Sequence, residues 1–231
     1  RDLRDSVRGW AARHATPTVV RGAVEAKVET RPQLWNGLAE QGLLGLHVAE
    51  EFGGAGYGLV ELAIVVEELG RSMVPGPFLP TVVVSAVLSD AGETDRLPTL
   101  VDGSTLGAVA LQPGSLKITR DGDNTTLSRT SSQILGGHVA DLCLLATDSG
   151  FVLLGRDRLE VTDLASYDVV RRNSEVTVDG LVLTDSEILT IDAQRVLDIA
   201  ATLFAAEASG LADWAVTTSA DYAKVRQQFG R

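Results

Sequence analysis

Cysteine is nearly absent from this 231-residue chain: Cys143 stands alone, which excludes an internal disulfide and any thiolate metal cluster. The three histidines, His14, His47 and His138, are scattered and lack metal-ligand spacing. Lysine is confined to Lys27, Lys117 and Lys224, and the formal net charge is −11. A nucleic-acid partner is therefore disfavoured, because phosphate backbones need a basic surface. No uninterrupted apolar run reaches the roughly 18 residues of a membrane span. The opening RDLRDSVRGW is charged and amphipathic, the pattern of a helix rather than a signal peptide. The expectation is a cytoplasmic protein with neither nucleic-acid nor membrane partners.

Apolar residues make up 45% of the chain, enough for a packed core, and the length suits one large domain or two small ones. The texture changes twice. Residues 1–103 read as a helical domain. Pro32 opens LWNGLAEQGLLG, the glycine-dense EEFGGAGYG follows, and LVELAIVVEELGR (Leu59–Arg71) is apolar nearly all round, as a helix buried in a bundle would be. TVVVSAVLSDAG predicts a further helix. Residues 104–191 read as a β domain of short strands: GAVAL, SLKIT, NTTLS, ADLCLLAT, GFVLLG and EVTVDGLVL. Asp121-Gly122 and Ser149-Gly150 mark hairpins, and the spacing predicts an antiparallel barrel or sandwich. Residues 192–231 return to helix. Asp192 is the expected N-cap, and Leu197, Ala200, Ala201, Phe204, Ala208, Leu211, Ala212 and Ala215 form the expected packing stripe.

Several residue groups invite a chemical reading. Glu50–Gly56 (EEFGGAG) could cradle a phosphate through glycine amides. It lacks a P-loop lysine, so a structural turn between helices is favoured. Asp141 reads as fixing a strand turn, His138 as a surface loop residue, and Glu67 and Glu68 as a solvated edge partnered by Arg71. Glu207 reads as solvated or ion-paired.

Three stretches resemble the acyl-CoA dehydrogenase family. Leu34–Arg71 is similar to its N-terminal signature, with EEFGGAG and EELGR, although Ala49 stands where the family usually has proline. TLSRTSSQILGGHVADLCLLAT is similar to a segment of its middle domain. GLADWAVTTSADYAKVRQQFGR is similar to the helix leading into its C-terminal bundle. The resemblance implies an N-terminal helical domain, a middle β domain and a C-terminal four-helix bundle, cut here at the bundle's start. It also implies FAD-dependent α,β-dehydrogenation of an acyl-CoA thioester, with a glutamate base and hydrogen bonds to the thioester oxygen.

The chain departs from the family where the flavin and base should sit. The family's T-E-P-x-x-G-S-D-like loop is represented by Leu111-Gln112-Pro113-Gly114-Ser115, without its acid and aspartate. Its aromatic-Ile-hydroxyl triplet falls on Gln133-Ile134-Leu135. Leucine donates no hydrogen bond, and a flavin polar atom left unpaired against it costs about 1–3 kcal/mol. The helix positions of the base and its neighbouring arginine fall on Ala200 and Ala201, so no residue is assigned as catalytic. The C-terminal match keeps Arg226, Gln228 and Phe229, which the resemblance implies contact FAD of a neighbouring subunit. The alternative is that Arg226 pairs within its own bundle and Phe229 is core. The expectation is a degenerate half whose partner, a homologous subunit or fused second half, carries the base and flavin. Its substrate would be an acyl-CoA, with a steroid side-chain acyl-CoA suggested by resemblance. The rival expectation is a non-catalytic structural subunit that has lost ligand binding.

Overall fold

The computed structural model describes residues 2–229. Six helices come first: α1 (Asp2–His14), α2 (Pro17–Glu25), α3 (Trp35–Glu40), α4 (Leu59–Arg71), α5 (Phe78–Ala91) and α6 (Leu97–Val101). Their starts follow local chemistry. Thr16 caps α2 ahead of Pro17, and the Gly58 amide donates to Glu61 at 3.0 Å at the start of α4. The helix expected from Pro32 begins later, at Trp35, whose indole N–H donates to the Gly103 carbonyl at 2.8 Å. α5 is buried on every side from Phe78 to Leu88.

The middle of the chain forms one curled sheet of seven strands: β1 (Gly107–Ala110), β2 (Lys117–Asp121), β3 (Asn124–Leu135), β4 (Leu142–Ala146), β5 (Phe151–Gly155), β6 (Glu160–Asp163) and β7 (Asn173–Leu183). The order is β5-β4-β1-β3-β7-β6, with β2 paired to β3. The sheet is mixed, in contrast to the antiparallel expectation, because β1 pairs with β4 in parallel. The chain leaves β1 through the β2–β3 hairpin and re-enters at the same end, a crossover long enough for parallel pairing. β6 carries too weak an apolar signal to be seen in sequence. β4 is buried on both faces. Leu142 and Leu144 join the helical core, while Cys143 and Leu145 join a second core inside the curled sheet. Burial pushes the Cys143 thiol up to about 12, so it is an inert core residue. Thr81 of α5 accepts the Gly107 amide at 2.9 Å, and Asp141 accepts the Leu106 amide at 2.8 Å, which fixes β1 against the helices.

The chain ends in α7 (Ala193–Val225), capped by Asp192, which accepts the Gln194 amide at 3.0 Å. Its buried face is Val196, Ile199, Ala200, Leu203 and Gly210. Of the expected stripe, Ala200 is buried and Leu197 and Phe204 pack against the helical core, whereas Ala201 and Ala208 lie off that face and every described residue from Leu211 on is exposed. With an 18-residue window of mean hydropathy 1.2, α7 meets the length and composition of a membrane span, which uninterrupted runs did not reveal. Its first half instead packs on α4 and α5.

The crossing of α4 and α7 is made by glycine. A Cβ on Gly210 would lie 1.8 Å from the Glu67 carbonyl oxygen, and one on Gly70 would lie 2.6 Å from the Glu207 carbonyl oxygen. The two backbones therefore touch, and Arg71 pairs with Asp213 beside the contact. Glu67 and Glu68 pair with Arg4 and Arg8 of α1 instead of with Arg71. Glu68 is buried, so its carboxylate needs these fixed donors more than a solvated edge would.

Two outcomes follow from this packing. Gly210→Ala should cost about 3 kcal/mol or more, the upper end of overpacking, because backbone atoms cannot swing aside; chemical denaturation checks it. His47 is packed beside Ser85, with Nε2 3.0 Å from its Oγ and Nδ1 without a partner, and burial lowers its pKa to about 4. The unfolded chain binds that proton near pH 6.5, so stability contributed by neutral His47 is full above pH 6.5 and is lost as pH falls towards 4. Denaturation midpoints should fall over this window in the wild type and flatten in His47→Gln.

Candidate functional site

The principal crevice lies between the sheet and α7. It encloses about 640 Å³ and is lined by residues of β1 and β3, the segment 164–173, and Phe204 and Glu207 of α7. β3 is irregular here, with a register break between Ser131 and Ile134 and a left-handed Gln133 (φ 64°). The bulge turns Ile134 into the sheet core while Gln133 and Leu135 line the crevice. Gln112 lines it too, whereas Ser115 is used internally, donating to the Gln112 carbonyl at 2.9 Å with its Oγ 3.2 Å from Ser131 Oγ.

Arg171 occupies the crevice wall and was missed in the sequence. Its guanidinium donates to Asp168 at 3.0 Å and pairs with Glu207 of α7. Burial works against the Arg171 charge, and the two carboxylates outweigh it, holding the group above its ordinary value. Glu207 is thus ion-paired, with its backbone against Gly70. The only sequence signal for this cluster was the polar turn Tyr167-Asp168-Val169-Val170-Arg171-Arg172, which resembles any loop. The adjacent Arg172 faces the other way, with its guanidinium on the Lys27 carbonyl at 2.6 Å and its amide on Glu29 at 3.1 Å.

No base reaches this crevice from the expected helix positions, since Ala200 is 1% exposed in the core and Ala201 faces outward. The family's flavin ring does not fit the residues present. Leu135 offers no hydrogen bond, Gln133 replaces the aromatic, and the Arg171–Glu207 pair bridges loop and helix across the cavity.

The second expected site lies at the far end of α7, beyond its packed half. Arg226 hydrogen-bonds the Tyr222 hydroxyl and stacks 5.2 Å above that ring. Gln228 is exposed, and Phe229 is 97% exposed at φ 52° among the described residues. Gly230 and Arg231, which complete the motif, lie outside the described residues.

The glycine loop spends its amides on its own fold. Ala55 donates to Gly45, Gly56 to Val48 and Tyr57 to Leu46. A Cβ on Gly54 would lie 2.0 Å from the Val48 carbonyl oxygen, so the loop is a closed turn with little room for an anion. His138 pairs with Asp163 at 2.8 Å. Among the described residues no cluster could hold a metal.

Residues 1–96 match the family described as acyl-CoA dehydrogenase, N-terminal domain. The whole chain superposes on a solved structure described as the Tcur3481-Tcur3483 steroid ACAD G363A variant, with a TM-score of 0.85 and 30% identity, covering 68% of that chain. The chain belongs to the acyl-CoA dehydrogenase family. Acyl-CoA dehydrogenase IpdE2 of Mycolicibacterium smegmatis is 34% identical over 99% of this chain, which spans 66% of that relative. Acyl-CoA dehydrogenase FadE34 of Mycobacterium tuberculosis is also 34% identical over 99% of the chain, which spans 32% of its length. The ChsE4-ChsE5 complex from Mycobacterium tuberculosis shares the fold, with a TM-score of 0.89 and 24% identity over 68% of that chain. Like its structural neighbours in the family, the chain combines helices with a curled sheet.

A double-mutant cycle on Arg171→Met and Glu207→Gln should give a coupling of about 1–3 kcal/mol in unfolding free energy. A coupling near zero would mean that the pair does not close the crevice.

Proposed function

We propose that this chain is one half of a paired acyl-CoA dehydrogenase, with residues 1–103, 104–191 and 192–231 as its helical domain, β domain and the first helix of a C-terminal bundle. The assembled enzyme would oxidise the Cα–Cβ bond of an acyl-CoA thioester, with FAD supplying the redox chemistry. The base and the contacts to the flavin ring belong to the other half, a homologous subunit or a fused second segment. The observation that supports this reading is the crevice itself, where Gln133 and Leu135 fall at the positions the resemblance implies for flavin contacts and the Arg171–Glu207 pair joins loop to helix.

This chain's own residues shape the assembly. The exposed end of α7 presents Arg226, Gln228 and Phe229 outward, where they would contact the FAD of the other half. Arginine suits the pyrophosphate because it is a permanent cation with a planar donor fork, and an exposed aromatic suits the adenine face. The exchange would swap the Tyr222 hydroxyl for phosphate oxygens as the Arg226 partner. A two-component description also attaches to the Tcur3481-Tcur3483 protein, and its steroid assignment supports a bulky ring-bearing acyl-CoA as substrate. The long relative FadE34, of which this chain spans 32%, supports a fused arrangement as well.

Arg226→Ala in the assembled protein should weaken FAD retention by about tenfold or more, consistent with loss of a charged hydrogen bond of about 1.5–3 kcal/mol. Arg226→Lys should restore part of it. Retention unchanged in both variants would place Arg226 outside the cofactor site.

A further inference from the structure

Residues 164–172 link β6 to β7 and give a wall to two cavities. Leu164 to Asp168 and Arg171 line the crevice, while Val169 and Val170 line a second hollow of about 300 Å³ beside α2. Little of the segment's own backbone holds it. Leu164 donates to the Asn173 carbonyl at 3.0 Å, and the Asn173 amide donates to Ser166 Oγ at 2.8 Å, which closes the base of the loop. From residue 165 to residue 171 no backbone–backbone hydrogen bond is made among the described residues. Asp168 Oδ1 accepts the Val170 and Arg171 amides at 2.9 and 3.3 Å, so the tip is a preformed turn. Tyr167 at that tip is fully exposed, and Val169 is 37% exposed. Few backbone bonds and little buried apolar surface are the features of a segment with low local stability.

Two consecutive arginines fix this segment to the helices, and they do so unequally. Arg172 is tied down at several points. Its guanidinium bonds the Ala26 and Lys27 carbonyls, its amide donates to Glu29 at 3.1 Å, and its carbonyl accepts the Gly136 amide at 3.1 Å. Arg171 reaches outside the segment only to Glu207 of α7, because its other partner, Asp168, belongs to the segment itself. We propose that residues 165–171 form a gate: when Arg171 leaves Glu207, they swing about the Arg172 anchor and join the crevice to the hollow beside α2. Asp168 travels with Arg171 and keeps it paired, so the movement leaves no bare guanidinium. Glu207 is rehydrated by the water that enters. The joined space takes a bulkier body than the crevice alone. The gate uses contacts within this chain and does not rest on the pairing of halves.

Hydrogen exchange of the intact protein tests the gate. Glu207→Gln should speed exchange of amides 165–171 by about tenfold or more, the scale of a lost charged hydrogen bond, and leave amides 196–203 of α7 as they were. Asp213→Asn, which breaks the Arg71 pair on the same helix, should leave exchange of 165–171 unchanged. Passage is read from Leu135→Cys, a thiol placed at the crevice in a chain whose own Cys143 is buried. Adding Glu207→Gln should raise its rate of modification by a bulky pyrene maleimide severalfold, with little change for the small methyl methanethiosulfonate. The gate is overturned if exchange of 165–171 is the same in Glu207→Gln as in the wild type. An equal rise in the α7 amides would also overturn it, since the pair would then hold the helix. So would a pyrene maleimide rate that Glu207→Gln leaves unaltered.

Discussion

Backbone contact between α4 and α7 at Gly70 and Gly210 is the constraint on which the rest of the molecule depends. With the helices this close, Val196, Ile199, Ala200 and Leu203 enter the helical core and the second half of α7 is left outside it. The same contact sets the backbone of Glu207 against Gly70 and points its carboxylate towards Arg171 of the β domain. A single close approach thereby fixes the helical core, the floor of the crevice and the direction in which the exposed end of α7 leaves.

The chemistry follows from what that geometry brings together. Within the crevice the polar groups satisfy one another. Arg171 is neutralised by Asp168 and Glu207, Ser115 by Gln112 and Ser131, and the bulge of β3 contributes Leu135 in place of a donor. At the other end of α7, Arg226 hydrogen-bonds Tyr222, and Phe229 is exposed among the described residues.

Much of this was legible in the sequence, for definite reasons. The α–β–α order, the hairpins at Asp121-Gly122 and Ser149-Gly150 and the Asp192 cap are local signals that tertiary contacts had no reason to override. The side chains at the aligned positions, Ala200, Gln133 and Leu135, were legible because they are read directly from the sequence, and the structure buries Ala200 and puts Gln133 and Leu135 in the crevice. The parallel β1–β4 pair was not legible, since periodicity carries no strand direction. The phase of α7 was legible at Leu197, Ala200 and Phe204, which pack on the helical core, while alanine on several faces hid that Ala201 and Ala208 lie off it. Arg4 and Arg8 as partners of Glu68, and Arg171 as partner of Glu207, are pairings across long stretches of chain. Nothing in the spacing of those residues records them.

The proposed pairing of halves turns on where the flavin resides. The decisive measurement is the FAD stoichiometry of the assembled protein, from flavin absorbance against protein mass. One FAD for each pair of homologous halves is the predicted result. Two per pair, or one for every copy of this chain with no second half present, would contradict it.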